Sequence, residues 1–259
     1  MSRPVAAAST AAISASAGLL LECAMHAPLR LHVTADLAEG AEIAATPGQA
    51  HYLGAVMRRT AGDSLLLFNG RDGEWAGSIT AIRKDKAQFG VERQTRPQSM
   101  EPDIWLLFAP LKRDATDLVA QKATELGAAA LLPVFTERTN AGRVNLERLA
   151  AIAAEAAEQC ERLSVPVVHP PRHLTEVLAD WPAGRRLVVA AERSDSPPIR
   201  AAAGPVALLI GPEGGFTPLE LDLLARHAFV HPASLGPRIL RADTAAIVGL
   251  ALLQATSGG

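Results

Sequence analysis

Apolar residues in the first hundred positions come in short runs that alternate with turn residues, as in small β-rich domains. The segment 69–73, Asn-Gly-Arg-Asp-Gly, tolerates positive φ and predicts a hairpin between the runs on either side. Linker composition follows at 96–99, so we expect the first domain to end near residue 98. The predicted elements are strands at 31–33, 64–68 and 75–82 and a helix at 48–58.

Strands and helices alternate in the rest of the chain. Residues 104–109 form a near-continuous apolar run, which is typical of a strand buried on both faces of a sheet. Asn145 stands where a helix would begin, and Gly127 and Pro166 stand where helices would end. The alternation predicts an α/β domain with a mostly parallel sheet. The predicted strands are 104–109, 131–135, 186–191 and 206–210, and the predicted helices include 115–126, 145–163 and 244–255.

Residues 1–27 show no such periodicity. They are rich in alanine and serine, and Arg3 and Glu22 are their only residues of the Asp, Glu, Lys and Arg types. We expect either a disordered extension or a start codon placed too far upstream. A signal peptide is the rival interpretation, but Glu22 interrupts a short apolar region. The predicted organisation is this extension, a first domain at 28–97 and a second domain at 98–259.

Composition and charge narrow the classes of function. The formal net charge of -2 is unlike the basic balance of proteins that coat nucleic acid nonspecifically, so any such contact would depend on local placement of basic side chains. Cys23 and Cys160 give neither a disulfide framework nor a zinc-ligand set, which favours a reducing, cytosolic compartment. We expect no metal site and, without a run of about twenty apolar residues, no membrane span.

A glycine-rich turn follows the apolar run 206–210. It reads Gly-Pro-Glu-Gly-Gly at 211–215, and Thr217 and Glu220 then form a capping box, with Pro218 at the first helical position. A loop from a parallel strand to a helix is where open α/β folds bind ligands. The spacing fits neither a P-loop nor a dinucleotide-binding fingerprint. A tight turn without a ligand is the alternative that this loop alone leaves open.

A second loop, 235–244, precedes the final apolar helix. Asp243 is a candidate N-cap for that helix, whose apolar residues on nearly every face predict burial inside the domain or against a second subunit. Arg238 and Arg241 stand near the helix start, where arginines that lose water need an anionic partner. That partner would be either a ligand or a carboxylate of the same loop.

Together these two loops resemble the paired signatures of the ribosomal RNA small subunit methyltransferase E family, in the SPOUT class of knotted methyltransferases. The first reads Ile-Gly-Pro-Glu-Gly-Gly-Phe at 210–216, and the second reads Leu-Gly-x-Arg-Ile-Leu-Arg-x-x-Thr-Ala at 235–245. Three further stretches agree, at 121–127, 136–139 and 155–162.

The resemblance implies a fold and a methyl donor. The fold would be a PUA-like β-barrel domain that binds RNA, followed by an α/β SPOUT domain whose last segment threads a trefoil knot. The donor would be S-adenosyl-L-methionine, held largely by backbone groups of three loops. The implied donor-binding residues are Ala190, Ala191, Glu192, Ile210, Gly211, Pro212, Glu213, Gly214, Gly215, Leu235, Gly236, Arg238, Ile239, Leu240, Arg241 and Thr244.

The implied reaction is methylation of uridine N3 in 16S ribosomal RNA of the small subunit, by a cytoplasmic homodimer. Arg241 is the candidate that stabilises negative charge on the base, and Glu213 and Asp243 are candidates for the proton acceptor. The candidate RNA contacts, mostly to phosphate, are Arg30, His51, Arg58, Arg59, Lys112, Arg113, Lys122, Arg138 and Arg162.

Three rival functions remain open on the sequence. A related knotted enzyme that acts on transfer RNA would share the donor loops, although the hairpin at 69–75 favours the ribosomal substrate. A non-catalytic RNA-binding relative would have lost donor binding, yet the loop 235–244 is intact. An ordinary nucleotide-binding enzyme would be expected to carry one of the phosphate motifs that are missing here.

Overall fold

The computed structural model describes residues 29–190, 196–200 and 204–255. These described residues form two sheets, one built from residues 30–96 and the other from residues 104–233. Each half has its own cluster of buried apolar side chains, so the hydrophobic effect stabilises each of them. The predicted N-terminal extension, 1–27, lies outside the described residues.

The first sheet consists of β1 Arg30–His32, β2 Glu42–Ala44, β3 Ser64–Phe68, β4 Glu74–Arg83 and β5 Lys86–Arg96. Their order is β1, β3, β4, β5, β2, with β1 and β3 parallel and the other neighbours antiparallel. The predicted hairpin is confirmed, since β3 pairs with β4 across the loop at 69–73. Hydrogen bonds from the Leu37 N–H and the Asn69 amide hold the pKa of Asp72 in this loop below its ordinary value.

The predicted helix at 48–58 differs from the structure in its second half. Helix α1 covers only Pro47–His51, and Tyr52–Val56 continue as a π-helix. Gly54 lies in the middle of that segment and, as a weak helix former, does not favour the α-helical geometry there. Arg58 then takes a φ of 53°, which ends the helical segment.

The second sheet consists of β6 Ile104–Phe108, β7 Ala130–Phe135, β8 Val167–Val168, β9 Arg172–His173, β10 Arg186–Ala190, β11 Val206–Ile210 and β12 Val230–Ala233. The order is β12, β10, β11, β6, β7, β8, with β9 also on β7, and these pairings are all parallel, as predicted. β11 is inserted between two earlier strands, β10 and β6, and all five of its residues are buried. Ligands of open α/β sheets bind outside the carboxyl ends of the strands, where the strand order reverses.

The helices of this half are α2 Arg113–Glu125, α3 Leu146–Gln159, α4 Leu174–Ala179, α5 Pro218–Ala225 and α6 Ala242–Ala255. The predicted end of α2 is confirmed by Gly127, which takes a φ of +71°. The predicted N-cap of α3 is confirmed, since the Asn145 side chain accepts a backbone N–H of the first turn. α3 stops before the predicted residue 163, because Glu161 takes a left-handed φ of 60° and turns the chain.

Helix α6 packs one face inside the domain, and its other face is only partly covered. Gly249 lies on the inner face, where a Cβ atom would stand 2.6 Å from Leu208 Cδ2 of β11. On the outer face, Ile247 and Val248 are half-buried and Leu252 is 38% exposed. None of the helices among the described residues has the combined length and apolar content that a bilayer crossing requires.

Arg30 joins the two halves of the chain. Its side chain is 5% exposed, and its Nε donates to Glu74 Oε2 at 2.8 Å within the first sheet. The other guanidinium nitrogens donate to carbonyl oxygens of α3 and the turn after it, those of Ala157, Glu158 and Arg162, at 2.9–3.0 Å. The prediction that Arg30 contacts RNA is therefore wrong, because the guanidinium is buried and used within the protein.

Arg162 is the second predicted RNA contact that the structure places in the interior. Its Nη1 donates to the carbonyl oxygens of Thr124 and Ala128, and its Nη2 is paired with Glu101. The side chain is 8% exposed, so it is not available to phosphate groups. That prediction is wrong as well, because Arg162 fastens the end of α2 to the turn after α3.

Glu158 provides a pH-dependent contact between the halves, since its Oε1 accepts the His32 N–H at 2.9 Å. Burial raises the pKa of Glu158 above its ordinary value, so the folded state holds this proton more tightly than the unfolded state. Wild-type stability therefore falls as pH rises from the ordinary value through the raised one. Glu158→Gln keeps a hydrogen-bond acceptor but cannot ionise. We therefore expect its free energy of unfolding to rise relative to that of wild type as the pH increases across that window.

Urea unfolding of both proteins from about pH 4 to about pH 7.5 measures this difference. Carboxylates other than the neighbouring Glu155 titrate equally in the two proteins, so they cancel in the comparison. A difference that stays constant with pH would contradict the assignment.

Candidate functional site

The predicted donor loops meet at the carboxyl edge of the second sheet. Ala190 ends β10 and lies opposite Ala233 of β12, just before the loop 235–244. Ile210 ends β11, and its carbonyl accepts the Ala109 N–H at 3.0 Å, which ties the edge to the segment after β6. The structure thus brings together loops that lie far apart in sequence. Ala191 and Glu192, also predicted for the donor site, lie outside the described residues.

The glycine-rich turn has the geometry of an open backbone loop. The Gly215 N–H closes it by donating to the Pro212 carbonyl at 2.8 Å, and Gly215 takes a φ of 67°. A Cβ atom on Gly211 would lie 2.9 Å from the Phe216 ring, so a larger residue there would require the ring to shift. Glu213 is exposed in the turn.

The second loop presents two arginines that have no carboxylate partner among the described residues. Arg238 and Arg241 are both exposed, and neither has a described carboxylate oxygen within 4.0 Å. Within that part of the chain, Arg241 is therefore not neutralised by a carboxylate of its own loop. The unpaired positive charge remains available to an anion at this edge.

Asp243 lies in the first turn of α6 and not at its N-cap, so the prediction that it caps the helix is wrong. The helix begins one residue earlier, at Ala242, and the N–H of Ala245 donates to the Arg241 carbonyl at 2.8 Å. The carboxylate of Asp243 instead accepts the N–H of Thr244 at 2.6 Å. Asp243 thus stands at the helix start as a first-turn residue.

Glu220 connects the glycine turn to the loop after β7. Its capping box with Thr217 is confirmed, and Thr217 N–H donates to Oε2 at 2.8 Å. The other oxygen, Oε1, accepts the Glu137 N–H at 2.9 Å. Beside it, Arg138 Nη1 donates to the Gly214 carbonyl at 2.8 Å. Sequence reasoning found the capping box but missed both cross-links, and it assigned Arg138 to RNA.

Arg138→Ala is expected to weaken donor binding about tenfold, because one charge-assisted bond that fixes the Gly214 carbonyl is lost. Titration calorimetry with the methyl donor measures the affinity. Arg138→Lys should recover part of it, since an ammonium also donates to a carbonyl. The same affinity in Arg138→Ala and wild type would show that the contact does not position the loop.

The remaining predicted RNA contacts fall on two surfaces. His51 and Arg59 line a cleft of about 520 Å³ in the first half, together with Arg83 and Lys84 at the end of β4, which sequence reasoning missed. Arg58 is exposed next to it. Exposed Lys112 and Arg113 lie at the start of α2, whereas Lys122 is paired with Glu125 at 2.8 Å.

Comparison with known families follows the same division of the chain. Residues 98–254 match the family model described as RNA methyltransferase domain, and residues 46–92 match the one described as RNA methyltransferase PUA domain. A ribosomal RNA small subunit methyltransferase E from Rickettsia conorii is 33% identical over 233 residues, which cover 87% of this chain and 94% of the relative.

Two solved structures share the fold. One is a methyltransferase from Legionella pneumophila in complex with bound SAM, with a TM-score of 0.81 and 30% identity. The other is a ribosomal RNA small subunit methyltransferase E from Neisseria gonorrhoeae bound to S-adenosyl methionine, with a TM-score of 0.80 and 28% identity. Each match covers 89% of this chain and 98% of the other. The first sheet is thus a PUA-like domain and the second an α/β domain of the SPOUT type, while the trefoil knot stays a prediction. The chain belongs to the ribosomal RNA small subunit methyltransferase E family.

Proposed function

We propose that this protein transfers a methyl group from S-adenosyl-L-methionine to N3 of a uridine in 16S ribosomal RNA. The observation that carries the proposal is the meeting of Ala190 and the loops 210–215 and 235–244 at the carboxyl edge of β10 and β11. Relatives of the same fold carry SAM in their structures. The rival assignment to an ordinary nucleotide-binding enzyme has no phosphate motif to support it.

The residues of this edge fit a nucleoside-containing ligand. No atom lies within 4 Å of the place where a Cβ atom of Gly215 would stand, so the turn is open there for a base to approach its backbone. When bound, the donor supplies an electrophilic methyl group on a positively charged sulfur. The proposed donor-binding residues are Ala190, Ala191, Glu192, 210–215, 235, 236, 238–241 and 244.

Arg241 is proposed to stabilise the negative charge that develops on the uridine base as its N3 proton leaves. The guanidinium is exposed beside the loops and has no described carboxylate partner, so it can meet that charge. Glu213 and Asp243 are the proposed proton acceptors. Glu213 is exposed in the glycine turn, and Asp243 lies in the first turn of α6, two residues after Arg241, so both belong to the loops proposed to form the site.

The RNA contacts that remain proposed are His51, Arg58 and Arg59 in the PUA-like domain and Lys112, Arg113, Lys122 and Arg138 in the SPOUT domain. A homodimer is proposed as well, because Ile247, Val248 and Leu252 give α6 a partly uncovered apolar face. The proposed compartment is the cytoplasm, where ribosomal RNA of the small subunit is available.

Transfer of labelled methyl groups to three substrates tests the proposal: undermethylated small ribosomal subunits, free 16S RNA and transfer RNA. We expect label in one or both ribosomal substrates and none in transfer RNA. Label only in transfer RNA would favour the related class of knotted enzymes. Donor binding without transfer to any of the three would contradict the proposed activity, and absence of donor binding would favour a non-catalytic relative.

A further inference from the structure

A basic cleft lies next to the donor edge. It has a volume of about 990 Å³ and runs between the start of α2 and the segment 141–149, which leads into α3. Its charged lining comprises four cations and two carboxylates, so the cleft is net positive. The cations are Lys112, Arg113, Arg143 and Arg148, and the carboxylates are Asp117 and Glu147.

The cleft begins beside the first of the proposed donor loops. Its wall begins at Pro110, one residue after Ala109, whose N–H donates to the Ile210 carbonyl at the start of the glycine turn. Phe108, the last residue of β6, pairs with Ile210 of β11, so this wall starts where the glycine turn starts. The cleft therefore begins at the carboxyl edge of the sheet, beside the proposed donor loop 210–215.

Three of the four cations are free to bind an anion. Arg148 is used within the protein, because its Nη2 and Nε bind Asp117 at 2.6–3.0 Å and neutralise that carboxylate. Lys112, Arg113 and Arg143 are exposed, and none of them has a carboxylate oxygen within 4.0 Å among the described residues. Separate unpaired cations along one cleft suit a ligand with several phosphates better than a single anion.

We propose that this cleft binds the RNA strand around the target uridine, with Lys112, Arg113 and Arg143 on the phosphates that flank it. The proposal rests on the proposed function and specifies how the substrate approaches the donor. A volume of about 990 Å³ is at the upper end of ordinary ligand sites, so it admits a nucleotide with its neighbouring phosphates. The basic cleft of the PUA-like domain would bind a more distant part of the RNA.

The double variant Lys112→Ala/Arg143→Ala tests the cleft. We expect the Kd for a 16S RNA transcript to rise at least tenfold while donor affinity, measured by calorimetry, stays within twofold. The slope of log Kd against log salt should fall by about one for each lost phosphate contact.

Lys112→Arg/Arg143→Lys keeps the charges and should retain the wild-type slope. Arg226→Ala is the matched control, because Arg226 is an exposed arginine near the start of β12, away from the donor edge.

If the alanine variant keeps the RNA affinity and the salt slope of an active wild type, the proposal that the cleft binds RNA is contradicted. The proposed function would stay intact in that case. Loss of donor affinity in that variant would also contradict the proposal that the cleft binds RNA, since the cations would then serve the donor. A wild-type protein that binds no RNA and transfers no methyl group would instead reject the proposed function itself.

Discussion

Replacing Arg241 with alanine is expected to lower the rate constant of methyl transfer by about 10²–10³-fold, the usual cost of removing one donor that stabilises developing charge. The pKa of uridine N3 lies roughly two units above neutral pH, so forming the anion there costs about 3 kcal/mol. A guanidinium without a described carboxylate partner is suited to offset that cost. Single-turnover assays with saturating donor measure the rate constant.

Two comparisons separate this role from a structural one. Donor affinity of Arg241→Ala should stay within about threefold of wild type, since residue 241 is proposed to bind the donor through backbone groups, which alanine keeps. The rate of the variant should rise with pH more steeply than the wild-type rate, because the base must ionise without help. A rate constant within about threefold of wild type would show that Arg241 does not stabilise the charge that develops on the base.

Arg30→Ala is expected to lower the free energy of unfolding by about 3–5 kcal/mol, the usual cost of breaking a buried ion pair. The substitution leaves the Glu74 carboxylate, 4% exposed, without its closest cation. It also leaves carbonyl oxygens of Ala157 and Arg162 without their buried donor. Because these partners lie in both halves of the chain, the contact between them weakens as well.

Urea unfolding measures the loss, and Arg71→Ala is the matched control. Arg71 forms an ion pair with Asp36 at the same distance of 2.8 Å, but the two side chains are 53% and 93% exposed. An exposed pair contributes only about 0–1 kcal/mol. Equal losses in the two variants would show that burial of Arg30 does not stabilise the fold as inferred.

Local patterns were sufficient for the framework of the second domain. The apolar runs of β6 and β11 are buried on both faces, and a strand of that kind needs only consecutive apolar residues to be recognised. The capping box at Thr217 and the positive φ at Gly127 depend on residues a few positions apart. These features are set by neighbours in sequence, so the sequence predicts them.

Long-range partners explain what the sequence could not predict. In the sequence, Arg30 resembles a phosphate-binding arginine. In the structure, three of its hydrogen-bond acceptors are carbonyl oxygens 127–132 positions away. A carbonyl belongs to every residue type, so no side-chain pattern marks it. The same reason hides the second role of Glu220, which accepts a backbone N–H 83 positions away. Arg143 could not be singled out from the sequence, because only the folded chain places it in a cleft with Lys112 and Arg113.

The chemical identity of the product tests the central claim most directly. Undermethylated 16S RNA would be treated with the protein and S-adenosyl-L-methionine, digested to nucleosides and analysed by mass spectrometry against standards. The proposed function predicts N3-methyluridine as the new nucleoside, at a single position of the RNA. A methyl group on the ribose, on a carbon of the base or on another base would contradict it.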